Sequence, residues 1–274
     1  MKQIKTVLTI AGSDSGGGAG IQADIKTISS LGLYAASCIT AVTAQNTLGV
    51  KGIEAVSPEM LSAQIEAVLE DFEVKAIKTG MIYQREHVLA IRDTLRKCRY
   101  DGPLVVDPVL VATSGDSLSG TSLVRALQEE LLPLSTLITP NIPEAELLSG
   151  IKVTSLEDMR HAAAILIRDY RVRNVLIKGG HGTGDEMTDL LLSADGEERL
   201  YTAGRIASNN THGTGCTLSS AIASFLALGL ELPEAVQQAT TYVHRAIDAA
   251  KDLNTGHGHG SLNHLFDPKS MYII

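Results

Sequence analysis

Short apolar runs alternate along this chain with longer stretches whose apolar positions recur at helical spacing. Residues 6–11, TVLTIA, form a β-rich run that the glycine-laden segment 12–20 closes. Helical spacing follows through Ile21, Ile25, Ile28 and Leu31 to a stop at Gly32. Residues 35–43 predict a second strand, turned by Thr47-Leu48-Gly49. Ser57-Pro58-Glu59 opens a helix with serine as cap and proline in its first turn. A strand at 76–78, a helix at 86–96 and the run 104–108 come next, followed by a helix at 121–132 and a strand at 136–139. A short helix from Pro143, a helix at 156–169, a strand at 174–177 and a hairpin at 188–202 turning on Asp195-Gly196 lead to the last helices, 217–228 and 233–251. No internal repeat or low-complexity linker interrupts the order, so one domain spanning 1–274 is expected. The alternation predicts a three-layer α/β/α sandwich around a central, mostly parallel sheet.

Composition narrows the partners. With 274 residues, 44% hydrophobic and 20% charged, the chain has the make-up of a globular protein. Its formal net charge of −8 argues against nucleic acid or an anionic membrane as partner. The cysteines Cys38, Cys98 and Cys216 make neither a disulfide framework nor a zinc pattern. The first apolar run turns polar too soon for a signal peptide, and no stretch reaches membrane-spanning length, so a cytoplasmic protein is expected.

The polar signatures fall where strands are predicted to end, which is where open α/β sheets bind ligands. The foremost is Thr211-His212-Gly213-Thr214-Gly215-Cys216, a glycine-spaced turn running into a helix of small and apolar residues. Unpaired amides of a helix's first turn, beside the positive end of its dipole, suit an anion such as phosphate. A thiol there is expected to have a lowered pKa and to serve as base or nucleophile. The plainer reading is a glycine turn followed by a small core residue.

Other strand ends leave alternatives open. Asp107 is either a strand-end cap or a residue on the metal and phosphate side. Asn141 and Glu144 form either a capping box or, through Glu144, a water-mediated Mg²⁺ site. Lys178, before Gly179-Gly180, is either a point charge for a nucleotide phosphate or a solvated strand end. Segment 12–20 matches neither a dinucleotide fingerprint nor a P-loop. Asp24 lies on the following helix. Gln45 offers an amide to a heterocycle's edge, and Met81 a pliable apolar wall or plain core. Residues 111–120 read as a lid loop or an ordinary connection, and His257 and His259, in a glycine tract, as a surface turn and not a metal site.

Taken together, AGSDSGGGAGIQAD (11–24), AVTAQN (41–46), IKTGM (77–81), VVDPV (105–109), TPNIPEAE (139–146), IKGGH (177–181), NTHGTGCT (210–217) and GHGHGSLNH (256–264) resemble the hydroxymethylpyrimidine/phosphomethylpyrimidine kinases of thiamine biosynthesis, in the ribokinase-like superfamily. The resemblance covers essentially the whole chain, and no fused synthase domain is expected. It implies ATP- and Mg²⁺-dependent phosphorylation of 4-amino-5-hydroxymethyl-2-methylpyrimidine and then of its monophosphate, by a cytoplasmic homodimer. It places Gly12, Asp24, Gln45 and Met81 around the pyrimidine. Asn141, Lys178 and Thr211 go to the nucleotide phosphates, Asp107 and Glu144 to the metal. Gly213, Thr214 and Gly215 form the anion hole, with Cys216 as base. Thr240 stands where many relatives carry lysine, and Ser261 where proline is expected. A pyridoxal kinase, or an enzyme acting on both rings, is the nearest alternative, and a non-catalytic sensor on the same fold a more distant one.

Overall fold

The computed structural model describes residues 3–110, 120–180 and 186–273. One nine-stranded sheet runs β3-β2-β1-β4-β5-β6-β7-β8-β9. The parallel centre comprises β2 (Tyr34–Asn46), β1 (Thr6–Asp14), β4 (Val74–Thr79), β5 (Leu104–Val106), β6 (Leu137–Ile138) and β7 (Asn174–Ile177). Antiparallel strands flank it: β3 (Gly49–Ala55) on one side, β8 (Glu186–Ser193) and β9 (Glu198–Gly204) on the other.

Alternation along the buried strands sorts their side chains between two cores. Leu8, Ile10, Ile77, Val106, Ile138 and Ile177 face a layer built from α2 (Pro58–Asp71), α3 (Arg85–Lys97), α4 (Thr121–Ala126), α5 (Ile142–Ser149) and α6 (Leu156–Tyr170). Val7, Ala76, Val105, Leu137 and Leu176 face α1 (Gly20–Ser30), α7 (Thr214–Leu228) and α8 (Leu232–Asp248). The three-layer sandwich is the one expected from the alternation.

Several boundaries differ from the sequence pattern. β3 was not visible in it, because this edge strand is largely exposed and carries no alternating apolar face. The helix expected over 121–132 is α-helical only to Ala126, then passes through a π turn, Leu127–Leu131, and a 3₁₀ turn, Leu132–Leu134, that contains Pro133. α7 begins at Thr214, inside the glycine turn and ahead of the expected residue 217, so Cys216 lies in its first turn. Of segment 111–120, residues 111–119 lie outside the described residues, as does His181.

One polar contact ties the α1–α7 layer to the sheet. Lys78 on β4 is 0% exposed, and its Nζ donates to both oxygens of an equally buried Asp24 at 2.8 Å. Thr9 also donates to Asp24 Oδ2 at 2.5 Å, and Ser220 of α7 to Oδ1 at 2.7 Å. Asp24, expected to line the pyrimidine pocket, is 0% exposed. Its oxygens are occupied by three protein donors beneath the surface, because an unshielded carboxylate there would need a cation.

Two predictions follow from this packing. Lys78→Met should destabilise the fold by ~3–5 kcal/mol, since it leaves a buried carboxylate unpaired. Adding Asp24→Asn should recover more than half of that loss; urea unfolding followed by circular dichroism measures both. The second concerns His264, which lies 3% exposed behind α7 with Nε2 3.0 Å from Thr217 Oγ1. Burial, aided by Lys26, pushes its pKa down to about 4, below the ordinary value of 6.5. As pH falls from 6.5 towards 4, the unfolded chain takes up a proton that the native chain refuses. His264 alone therefore contributes a decline of up to ~1.4 kcal/mol per pH unit across that window. Asp14, held below its ordinary range, acts only at lower pH, whereas Asp189, raised by burial to about 6, and Glu144, also raised, oppose the decline in the same window. The histidine's share is read as a difference: the urea midpoint of His264→Gln should gain on that of the unaltered protein as pH falls from 6.5 to 4.5.

Candidate active site

The loop before α7 and the ends of the parallel strands meet at one place. Gly213 caps α7 in the left-handed region, φ 87°, and a Cβ there would lie 1.9 Å from the carbonyl oxygen of Gly18. Only glycine allows the two loops to touch. Thr214, expected as an anion-hole donor, is otherwise engaged: its amide and hydroxyl both bond the carbonyl of Thr211, at 3.2 and 2.7 Å. Among the described residues, the first-turn amides of Gly215 and Cys216 remain as the donors for an anion. Thr211 itself is exposed at the start of the turn.

Gly215 brings this helix end to the lysine on β7's end. A Cβ on Gly215 would lie 3.1 Å from Lys178 Nζ and 3.6 Å from Asp107 Oδ2. Lys178 is no solvated strand end; its side chain is 15% exposed and its Nζ bonds Asp107 Oδ1 at 2.9 Å. Burial would push its pKa down, but Asp107 and Glu144 more than offset this, so it stays a cation. Asp107 is completed by Thr139 at 3.1 Å and by Ser219 of α7 at 3.4 Å. Burial opposes its charge, while Lys178 and Lys78 hold its pKa below the ordinary value.

Asn141 and Glu144 form the capping box of α5, with reciprocal bonds of 2.9 Å. Glu144 also accepts from the amide of Leu110 at 3.3 Å, and its burial raises its pKa, with Lys178 working against the rise and Asp107 adding to it. Asn141 pairs with Lys178 through an isolated bridge, so both sit at the same edge. Among the described residues, no three His, Cys, Asp or Glu side chains group closely enough to hold a metal ion. Asp107 and Glu144 are nevertheless an oxygen-only pair flanking one lysine, a donor set that suits Mg²⁺ bound mainly by water and phosphate.

Cys216, partly exposed as a residue, lies near this cluster. The expectation of a lowered thiol pKa is reversed. Burial pushes it up to about 11; Lys78 pulls it back, Asp24 and Asp107 add to the rise, and the amide of Gly20 lowers it again. The carboxylates that hold the two lysines cancel most of the positive field that a helix end alone would give.

On the far side of the α7 loop lie most of the residues expected around a ring. Gly12 and Met81 touch, since a Cβ on Gly12 would lie 2.3 Å from Met81 Cε. Gln45 ends β2, its backbone tied to Ser15 by bonds of 2.6 and 2.8 Å. Its amide reaches His212, 3.3 Å away, and His212 Nε2 lies 3.0 Å from Asp14 Oδ2. Asp14 gathers the first glycine loop by accepting from the amides of Gly16, Gly18 and Ala19 at 2.8, 3.1 and 2.8 Å. Burial works against its charge, but His212 and these amides hold its pKa below normal. The tract at 256–260 is a surface turn, as expected, though a tightly packed one. A Cβ on Gly258 would lie 2.0 Å from the carbonyl of Thr47, and His212 donates its amide to Gly260 at 3.0 Å.

Lys78, Ser219, Ser220, Asp14 and His212 were not singled out from the sequence. One signal for Lys78 was present: Asp24 shares a helical face with Ile21 and Ile28, so a buried carboxylate there required a cation.

Comparison with known proteins identifies the family. Residues 14–263 match the family model described as phosphomethylpyrimidine kinase. A hydroxymethylpyrimidine/phosphomethylpyrimidine kinase of Rhizobium meliloti (strain 1021) is 54% identical over 257 residues, covering 94% of this chain and 96% of that protein. The crystal structure of a phosphomethylpyrimidine kinase from Clostridium difficile 630 superposes with a TM-score of 0.79 at 44% identity, over 89% of this chain and 99% of that one. A pyridoxal kinase from Staphylococcus aureus, solved with AMP-PCP and pyridoxal, superposes with a TM-score of 0.87 at 32% identity, over 99% of this chain and 97% of that one. The fold is ribokinase-like, and the chain belongs to the phosphomethylpyrimidine kinase family.

Proposed function

We propose that Cys216, at the amide-rich start of α7, is the base in an ATP-dependent phosphorylation of 4-amino-5-hydroxymethyl-2-methylpyrimidine, followed by phosphorylation of the resulting monophosphate. The observation that carries this reading is that a Cβ on Gly215 would lie 3.1 Å from Lys178 Nζ, so an anion held by the helix amides would meet that lysine one residue from a thiol.

Phosphoryl transfer needs alignment and charge neutralisation more than covalent help. The amides of Gly215 and Cys216 and the dipole of α7 would receive the transferring group, with Lys178 beside it. Asp107 and Glu144 would hold Mg²⁺ through their oxygens and bound water. When bound, the ion supplies positive charge to the phosphate oxygens. Asn141, bridged to Lys178, and Thr211, exposed at the start of the turn, would serve the nucleotide side. Gly12, Gln45 and Met81 form the wall for the ring, with the hydroxymethyl oxygen directed to Cys216. The pyridoxal kinase likeness supports the fold, and pyridoxal turnover set beside pyrimidine turnover tests that activity directly.

Cys216→Ala should lower kcat on the alcohol by roughly 10²–10⁴-fold, the usual worth of a positioned base. The monophosphate is already ionised near neutral pH, so its turnover should fall far less in the same variant. Equal losses on both substrates, in steady-state assays of each alone, would remove the proton-accepting role. The raised thiol pKa gives a second expectation. A base that ionises only towards pH 11 is present at neutral pH as a minor thiolate fraction. Turnover of the alcohol should therefore climb as pH rises from 7 to 10, while turnover of the monophosphate stays nearly level. A flat alcohol profile would count against Cys216 as the titrating group.

A further inference from the structure

Hydrogen-bond bookkeeping around Gln45 assigns a job to His212 that the reaction itself does not require. Asp14 is 3% exposed and His212 13%. The carboxylate offers only lone pairs, and its Oδ2 already draws in the amides of Gly18 and Ala19. A ring nitrogen 3.0 Å from that oxygen must present a hydrogen to it, so His212 Nε2 is a donor. The ring has no freedom to turn away. A Cβ on Gly18 would lie 2.5 Å from His212 Cδ2, and the backbone on both sides is pinned to Gly260 and Gly18.

Gln45 must match this donor. The amide is placed with Nε2 3.3 Å from His212 Nε2 and Oε1 3.3 Å from Thr43 Oγ1, and its neighbours' hydrogen bonds argue for the reverse assignment. The oxygen and nitrogen of an amide have nearly the same shape, so partners decide which is which. An amide NH₂ facing His212 would set donor against donor. The Thr43 hydroxyl spends its hydrogen on the carbonyl of Ser13 at 2.9 Å, a better bond than the one to Gln45. It therefore turns a lone pair towards Gln45. Both neighbours demand the same answer: carbonyl oxygen on the His212 side, NH₂ on the Thr43 side. One lone pair and one hydrogen of the amide are left to face a ligand, in a fixed order.

We propose that His212 and Thr43 are specificity-determining positioning residues, which lock the acceptor–donor order that Gln45 shows to the ring and so select a 4-aminopyrimidine over its 4-oxo counterpart. A 4-aminopyrimidine edge carries a ring-nitrogen acceptor beside an amino donor. The 4-oxo tautomer carries an N–H donor beside a carbonyl acceptor, in the opposite order. A locked amide fits one and meets the other donor to donor. A freely turning amide serves both, and a site built on fixed hydrogen bonds rejects the mismatch strongly. This inference rests on the reading that Gln45 faces the pyrimidine.

The test is calorimetric titration of the protein with 4-amino- and 4-oxo-5-hydroxymethyl-2-methylpyrimidine, taking the ratio of the two Kd values. His212→Phe keeps the ring and removes the donor; Thr43→Val keeps the shape and removes the lone pair. Each should shrink the wild-type preference for the amino compound at least tenfold, chiefly by improving binding of the oxo compound. A role confined to structure would weaken both ligands alike and leave the ratio intact. Gln45→Ala separates the two layers of the argument. If it keeps the wild-type ratio, Gln45 does not read the ring. If it abolishes the ratio while His212→Phe and Thr43→Val both preserve it, Gln45 reads the ring and the locking role assigned here is wrong.

Discussion

The start of α7 is held between two carboxylate–lysine pairs. Ser220 bonds Asp24, which holds Lys78, and Ser219 lies 3.4 Å from Asp107, which holds Lys178. The two serines are adjacent, so they leave the helix in different directions, one towards Asp24 on α1 and the other towards Asp107 after β5. Ser219 also bonds back to the carbonyls of Gly215 and Cys216, at 3.0 and 3.1 Å, closing the turn on itself. A helix end made of glycine, threonine and cysteine has little packing to fix it. Here buried ionic groups supply the direction that apolar contacts do not, and their low-dielectric surroundings make each bond stiff.

That arrangement also explains why the thiol behaves unlike one at an isolated helix end. Two lysines lie near the sulfur, yet each is neutralised by a carboxylate at bonding distance. What remains is a protein environment with little net charge, and burial then favours the neutral thiol. The same cancellation bears on the anion. A chain with a formal net charge of −8 gains little long-range attraction for a phosphate. Recognition must come from short-range donors: the amides of Gly215 and Cys216 and the face of Lys178 left beside Asp107.

Much of this was legible in the sequence, for identifiable reasons. The parallel core announced itself through apolar runs ending in glycine, aspartate or lysine. The α2 cap followed from Ser57-Pro58, whose serine accepts from Met60 at 3.2 Å. The capping box at Asn141 and Glu144 was one of two readings, and its bonds are now explicit. Other features depend on what lies across the sheet and leave no local trace. The resemblance gives Asp24 a pocket role, whereas its bond to Lys78, 54 residues later, leaves no local trace. The thiol's ionisation depends on Asp24 and Asp107 from separate elements, which no reading of the turn alone includes. Edge strand β3 has no buried face to create a period.

The loop before α7 joins two tasks in a handful of residues. His212 points into the Asp14–Gln45 group, on the side of the proposed ring, whereas Cys216 lies near Lys78 and Lys178, on the side of the proposed phosphate. Between them, Gly213 leaves no slack, since its backbone already touches Gly18 at the limit that a missing Cβ permits. Displacing one end of so short and closely packed a segment displaces the other. The orientation of the ring and the reach of the sulfur are then set by the same rigid body, and a substrate that seats poorly against Gln45 also presents its oxygen poorly to Cys216. Discrimination at the ring would thus appear in turnover as well as in binding, because a small misplacement of reacting atoms is costly even when the chemistry is intact.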